Sequence, residues 1–206
     1  MSKHSIAFFD FDGTITTDDS LLKFIRFAVG DTIFLVGLLA ISPTLIAYKF
    51  KLIPNYKAKQ IMISWYFKGM AKEKFLEVAN EYSLNHIDKI IRKKAMEKIK
   101  WHKNEGHKVV VVSASLECCL QPWCLKNDID LIGTKLDTKE NVITGKLLSK
   151  NCYGPEKVIR IKEHYDLSSF DFIYAYGDSR GDREMLGLAQ EKYYKPFRIV
   201  GSKLYF

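Results

Sequence analysis

The stretch that decides the fold is Phe8 to Ser20, "FFDFDGTITTDDS". An apolar run from Ile6 to Phe9 leads straight into Asp10; a second carboxylate follows at Asp12, then Gly13 and Thr14. "SIAFFDFD" predicts a short buried strand, and residues two apart on an extended strand face the same side. Asp10 and Asp12 are therefore expected to point together from a strand end. Two carboxylates so placed repel unless a cation or a shared proton intervenes. Hard Mg2+ suits them, because it takes one or two carboxylates and completes its shell with water and substrate phosphate. Asp10 is a candidate nucleophile, since carboxylates form acyl phosphates. Asp12 is a candidate general acid and base. Gly13 permits a sharp turn and close approach of amides to a phosphate, and Thr14 offers a hydroxyl nearby.

Two further segments read as buried strands. "HKVVVVSAS" carries four successive valines, Val109 to Val112, too β-branched for a comfortable helix, and "DFIYAYGDS" ends in acids. Each of the three is followed by a plausible helix, which implies a parallel sheet with right-handed crossovers. Ligands in such sheets sit beyond the carboxyl ends of the strands, where Asp10/Asp12, Ser113/Ser115 and Asp178/Asp182 all fall. Ser113 is expected to end its strand and open a helix whose amides, with that of Ala114, cradle a phosphate. Ser115 is the expected N-cap, and Pro122 is expected to break or kink that helix. Lys157, just after Gly154 and Pro155, can reach back to the strand ends and offset their negative charge. Asp178 can share the metal with Asp10, while Asp182 can orient a metal-bound water or Lys157.

Between the first two strands lie almost ninety residues without a clear strand, rich in helix formers with apolar residues at helical spacing. This length exceeds a loop and reads as a helical cap over the site. "IDLIGTKLDTKENVITGKLL" reads as a strand and a hairpin with its turn near Glu140 and Asn141. Within the insertion, residues 32–48, "TIFLVGLLAISPTLIAY", contain no charge and are interrupted by Pro43. Lys23 and Arg26 precede this run; Lys49, Lys51, Lys57 and Lys59 follow it. Seventeen uncharged residues are at the short limit for a membrane span. The run is either a cap helix buried against its neighbours or a contact with an anionic membrane surface.

The chain has 206 residues, a formal net charge of +8 and 47% hydrophobic residues. That suffices for one core with a large insertion or for two small domains, and a packed core is expected rather than disorder. The positive balance suits anionic partners: phosphorylated metabolites, lipid head groups or nucleic acid. No aromatic-rich nucleic-acid motif accompanies it, so nucleic acid is not expected. Cys118, Cys119, Cys124 and Cys152 lack a zinc spacing and read as reduced, partly buried thiols. With no signal-peptide pattern, the expected location is the cytoplasm, or the inner face of the membrane if the apolar run meets lipid.

In order along the chain, "DFDGT", "VVVVSAS", the lysine of "CYGPEK" and "YGDSRGD" resemble the haloacid dehalogenase superfamily, in its phosphoserine-phosphatase-like branch. The resemblance implies an α/β, Rossmann-like core from residues 1–16 and 101–206, with a helical cap from 17–100. It implies Mg2+-dependent phosphoryl transfer through an aspartyl phosphate. By motif position Asp10 is the nucleophile and Asp12 the acid and base, while Ser113 and Lys157 hold the phosphoryl group. Asp10, Asp178 and the backbone carbonyl of Asp12 ligate Mg2+, with Asp182 in support. An aspartate at the Asp12 position fits a phosphatase; true dehalogenases of the superfamily lack it. Phosphoserine phosphatases usually read "DFDST" and carry an acid and an arginine in the cap. Here Asp18 and Asp19 are the candidate acids, and "KLIPNYKAKQIMISWYFKGM" has lysines but no arginine. That stretch, the apolar cap and "CYGPEK" are more similar to bacterial phosphatidylglycerophosphatase C enzymes, which remove the terminal phosphate of a glycerophospholipid precursor. Three functions follow for testing: a phosphatase for a lipid phosphate, a soluble phosphatase for a small metabolite such as phosphoserine, and a non-catalytic anion-binding or membrane-surface module.

Overall fold

The computed structural model describes residues 4–198. Five parallel strands form the central sheet in the order β3-β2-β1-β6-β7. They are β1 (Ser5–Phe9), β2 (Lys108–Leu116), β3 (Asp130–Thr134), β6 (Phe172–Gly177) and β7 (Glu191–Tyr194). A separate antiparallel hairpin joins β4 (Leu136–Lys139) to β5 (Val142–Leu147). Its turn falls on Glu140 and Asn141, both with positive φ, as a tight hairpin turn requires.

The central strand explains its own sequence. Ile6 and Phe8 face one apolar cluster with Val110, Val112, Ile132 and Ile161; Ala7 and Phe9 face another with Val109, Val111, Ile99 and Trp123. A strand covered on both faces must be apolar at every position. The helices α5 (Lys93–Asn104) and α6 (Glu117–Lys126) lie toward the second cluster, and α7 (Pro155–His164) and α8 (Arg183–Leu186) toward the first.

The cap comprises α1 (Ser20–Ala40), α2 (Ser42–Lys49), α3 (Asn55–Phe67) and α4 (Lys72–Asn85). Its interior is an aromatic cluster of Phe24, Phe67, Phe75 and Tyr82, with ring centroids 5.0–5.6 Å apart. The chain leaves the core at Thr16 and returns at Ile91, which form an antiparallel bridge. Thr17 N–H donates to Ile90 O at 2.8 Å and Arg92 N–H to Ile15 O at 2.8 Å. We therefore place the return at Ile91 rather than after residue 100. Helix α5 belongs under the sheet, because its buried Ala95, Ile99 and His102 pack on the core rather than on the cap.

Several local expectations change. Strand β1 stops at Phe9, and Phe11–Ile15 form one wide turn closed by Thr16 N–H to Phe11 O at 3.0 Å. Strand β2 does not end at Ser113 but continues through an irregular register to Leu116, so α6 begins at Glu117. Leu116, not Ser115, stands at its N-cap. Pro122 lies inside α6 without ending it. The ladder opened there is compensated from α4, where Ser83 Oγ accepts the Trp123 N–H at 3.0 Å. All four cysteines are free thiols.

The apolar run 32–48 spans the end of α1 and α2 up to its last residue but one, and the two helices are bent by 61° at their junction. Pro43 sits in the first turn of α2, where a missing N–H costs least. Among the described residues, no single helix is long and apolar enough to cross a membrane, although this bent pair passes by length and composition together. One face of the run is packed, with Gly37 and Ile41 buried and Phe34 against Tyr66, and the other is open. Leu39 is 75% exposed, and Ile33, Leu35, Val36 and Ile46 are also exposed, joined just beyond the run by Phe50 at 70% and Leu52 at 76%.

Candidate active site

Strand register brings the site together. Phe9 pairs with Val111 on one side and Tyr176 on the other, so Asp10, Val112–Ser113 and Gly177–Asp178 emerge side by side at the carboxyl edge. Asp10 N–H donates to Tyr176 O at 2.9 Å, fixing the first residue past the strand. Asp10, Asp12, Ser113, Ala114, Lys157 and Asp182 line one cavity of about 200 Å³.

Lys157 is the centre of this cluster. It is 1% exposed, and its Nζ donates to Asp10 Oδ1 at 2.6 Å, Asp182 Oδ1 at 2.6 Å and Val112 O at 2.7 Å. Burial alone would depress its pKa, but Asp10 and Asp182 outweigh that and raise it, so the ammonium is permanently charged. Gly154, at φ +62°, starts α7 and Pro155 sets its first turn, aiming Lys157 inward from the next. Burial pushes the Asp10 carboxyl up to about 7 against the pull of Lys157. Thr14 Oγ1 donates to Asp10 Oδ2 at 3.2 Å.

Asp12 is held independently. Ser20 N–H donates to its Oδ1 at 2.7 Å and Ser115 Oγ to its Oδ2 at 2.5 Å, and Ser20 Oγ donates to Ser115 Oγ at 3.1 Å. Burial, then repulsion from Asp19, pushes the Asp12 carboxyl up to about 6, while the Ser115 hydrogen bond opposes the rise. A carboxyl poised there can give and take a proton near neutrality. Ser115 thus serves Asp12 instead of capping a helix. Asp19 caps α1 through Leu22 N–H at 2.9 Å and also lines the cavity, whereas Asp18 is turned to Lys23 at 3.1 Å. Ser113 is buried, and its Oγ accepts Ser115 N–H at 3.0 Å. Ser113 does not stand at a helix N-terminus as expected but on this irregular strand end, because α6 starts beyond Leu116.

Carboxylate oxygens of Asp10, Asp178 and Asp182 lie within 4.8 Å of one another. The donor set fits Mg2+: hard oxygens on separate strand ends. Gly13 fits it too, since at φ +82° a Cβ there would stand 2.5 Å from Asp178 Oδ2. The space that Asp178 occupies exists only because residue 13 has no side chain. Asp182 is already saturated, taking Lys157 on Oδ1 and Asp178 N–H, Ser179 N–H and Ser179 Oγ on Oδ2. Asp10 and Asp178 accept fewer hydrogen bonds and are the carboxylates of this group that could hold a cation. Arg198 Nη2 donates to Asp178 Oδ2 at 2.5 Å.

The cap contributes residues that sequence reasoning did not single out for the site. Lys59, read from sequence as one of the flanking lysines, turns inward and donates from Nζ to Ala114 O at 2.6 Å and Asn151 Oδ1 at 3.0 Å. Asn55, one turn earlier on α3, accepts from Asn151 Nδ2 at 2.8 Å. The i, i+4 spacing of Asn55 and Lys59 was the available signal. Helix α3 is seated on the hairpin where Ser64 Oγ donates to Gly145 O at 3.2 Å, and a Cβ on Gly145 would lie 2.1 Å from Ser64 Oγ. Asn55 and Tyr153 also line a larger groove of about 790 Å³ that includes Pro54, Tyr56, Leu147 and Leu148.

A strand-end aspartate held by a buried lysine, beside a second aspartate and a further acidic pair, defines a hydrolase site built for an anionic substrate. The chain matches the haloacid dehalogenase-like hydrolases over residues 7–187 and belongs to that family. It is 34% identical over 192 residues to Protein CicA of Caulobacter vibrioides, covering 92% of this chain and 85% of that one. A Bordetella pertussis protein of unknown function has the same fold, with a TM-score of 0.82 at 19% identity, over 93% of this chain and 90% of the other. A phosphoserine phosphatase solved as a phospho-aspartyl intermediate analogue gives a TM-score of 0.60 at 22% identity, over 93% and 86% of the two chains.

Proposed function

We propose that the protein is a Mg2+-dependent phosphomonoesterase working through an aspartyl phosphate on Asp10, and that its substrate is a lipid phosphate such as phosphatidylglycerophosphate. The catalytic part rests on one observation: Lys157, 147 residues from Asp10 in sequence, holds that carboxylate and Asp182 together inside a cavity shared with Asp12 and Ser113. Asp10 and Asp178, with the Asp12 carbonyl, would hold Mg2+, which neutralises phosphate charge when bound. An Asp10 oxygen attacks phosphorus; the bond to the leaving oxygen breaks, and Asp12 gives that oxygen its proton. Asp12 then takes a proton from a water that attacks the phosphorus of the acyl phosphate. The bond to Asp10 breaks and inorganic phosphate leaves. Lys157 remains charged throughout and holds Asp10 in line.

The lipid part is supported by the exposed apolar surface of α1 and α2 and by the largely apolar groove that meets the catalytic cavity at Asn55 and Tyr153. Lys49 and Lys51, beside Leu52, suit an anionic bilayer. The test has two arms. Phosphate release is measured from p-nitrophenyl phosphate, phosphatidylglycerophosphate, phosphoserine and sugar phosphates, with and without Mg2+. Flotation with phosphatidylglycerol and phosphatidylcholine vesicles is measured in parallel. Mg2+-dependent turnover that Asp10→Asn abolishes, preference for the lipid and flotation with the anionic vesicles are expected. Turnover of soluble esters without flotation would favour a metabolite phosphatase, and no Mg2+-dependent release at all would leave only a binding module.

A further inference from the structure

The reaction just described does not use Lys59. It is half-buried, both of its partners are neutral oxygens, and among the described residues no carboxylate pairs with it. Two of its three N–H groups are occupied, so one is left for a ligand. Burial lowers its pKa, opposed by Asp12 and Asp19, two of the four carboxylates lining the same cavity. An ammonium held this way gains most from an anion.

Its position says which part of a substrate would supply that anion. Lys157 and Val112 O mark the Asp10 end of the cavity. Lys59 instead touches Ala114 O, the neighbour of Ser115, whose hydroxyl donates to Asp12. Asp12 serves the leaving oxygen, so Lys59 stands on the leaving-group side. Beyond it, Asn55 and Tyr153 open into the groove bounded by Pro54, Leu147 and Leu148. The order outward is therefore phosphoryl site, cation, apolar wall.

We infer that Lys59 is a specificity-determining residue that pairs with a second anionic group on the leaving group, a phosphodiester a few bonds from the ester that is cleaved. This rests on the phosphomonoesterase reading of the Asp10 cavity. Two soluble substrates test it: glycerol 1-phosphate, and the same compound with a methyl phosphodiester on its third carbon. The wild-type protein is expected to prefer the second by about ten- to a hundredfold in kcat/KM, the range of one charge-assisted hydrogen bond. Lys59→Met collapses that preference toward one, mainly through KM, and Lys59→Arg restores part of it. Equal wild-type rates on the two substrates overturn the inference, whether or not Lys59→Met folds. So does an equal loss on both substrates in Lys59→Met, which would assign Lys59 to the phosphoryl group or to seating the cap. Hydrolysis of p-nitrophenyl phosphate is the control: activity without preference sinks this inference alone, and no Mg2+-dependent activity sinks the phosphomonoesterase reading with it.

Discussion

Replacing Lys157 by Met removes the cation on which the site is assembled while keeping most of its volume. Three hydrogen bonds of 2.6–2.7 Å disappear, and Asp10, Asp182 and Val112 O are left facing one another at a position 1% exposed. Breaking a buried ion pair by removing one partner costs about 3–5 kcal/mol. For a chain of this size each kcal/mol moves the melting point by about 2–4 °C, so a drop of about 6–20 °C is expected at pH 8 in EDTA. The deficit must shrink with acid. Asp10 titrates at about 7 even beside Lys157. Its folded-state pKa is raised above the unfolded value, so the penalty of ionising it grows as pH climbs through that range and is largest above it. At pH 5.5 a neutral Asp10 carboxyl no longer needs the ammonium. Mg2+ should stabilise the variant more than the wild type, because it then supplies counter-charge that Lys157 no longer does. Thermal denaturation followed by circular dichroism at both pH values, with EDTA or Mg2+, measures all of this. A variant melting within about 3 °C of wild type at pH 8, the shift of about one kcal/mol, would refute the role given to Lys157.

Gly13→Ala forces a Cβ to 2.5 Å from Asp178 Oδ2 at φ +82°, so Asp178 must move. Mg2+ affinity by calorimetry should fall by tenfold or more, about 1.4 kcal/mol, and an unchanged affinity would detach Asp178 from the metal. Ser115→Ala removes the 2.5 Å hydrogen bond that holds Asp12 down. The limb of the pH–rate profile that reports Asp12 should move up by about one unit, the worth of one bond to a charged group. His102 is buried against Tyr176 Oη at 2.9 Å and His107 at 2.9 Å, and burial pushes its pKa down to about 3. A base depressed on folding loses stability as pH falls through its unfolded value of 6.5. Chemical denaturation should find wild type losing about 3 kcal/mol between pH 7.5 and pH 4.5 that His102→Gln does not lose.

The parallel core was legible because its signals are local and redundant. A run such as Val109–Val112 has few other places to go, and carboxylates directly after apolar strands mark the functional edge. Lys157 was legible from its place after Gly154 and Pro155, which together aim the first turn of α7. Ser115 was misread because an N-cap serine and a serine at an irregular strand end look alike in sequence; only the shift in register beyond Val112 separates them. The helical limit of the insertion is hard to place from sequence because α5 is amphipathic like the cap helices, and its partner, the underside of the sheet, is distant along the chain. Lys59 was hidden among neighbouring lysines that do face outward. Which lysine turns inward is decided by Asn151, almost a hundred residues later.

Thr16 and Ile91 leave the core as neighbours in a single antiparallel bridge. The register that places Asp10 beside Lys157 is set by β1, β2 and β6, none of which lies between them. The cap instead leans on the hairpin through Ser64 and on α6 through Ser83, so those two seats are what any other covering would have to keep. Outside them, the part that selects what reaches the reacting groups is free to change on its own schedule.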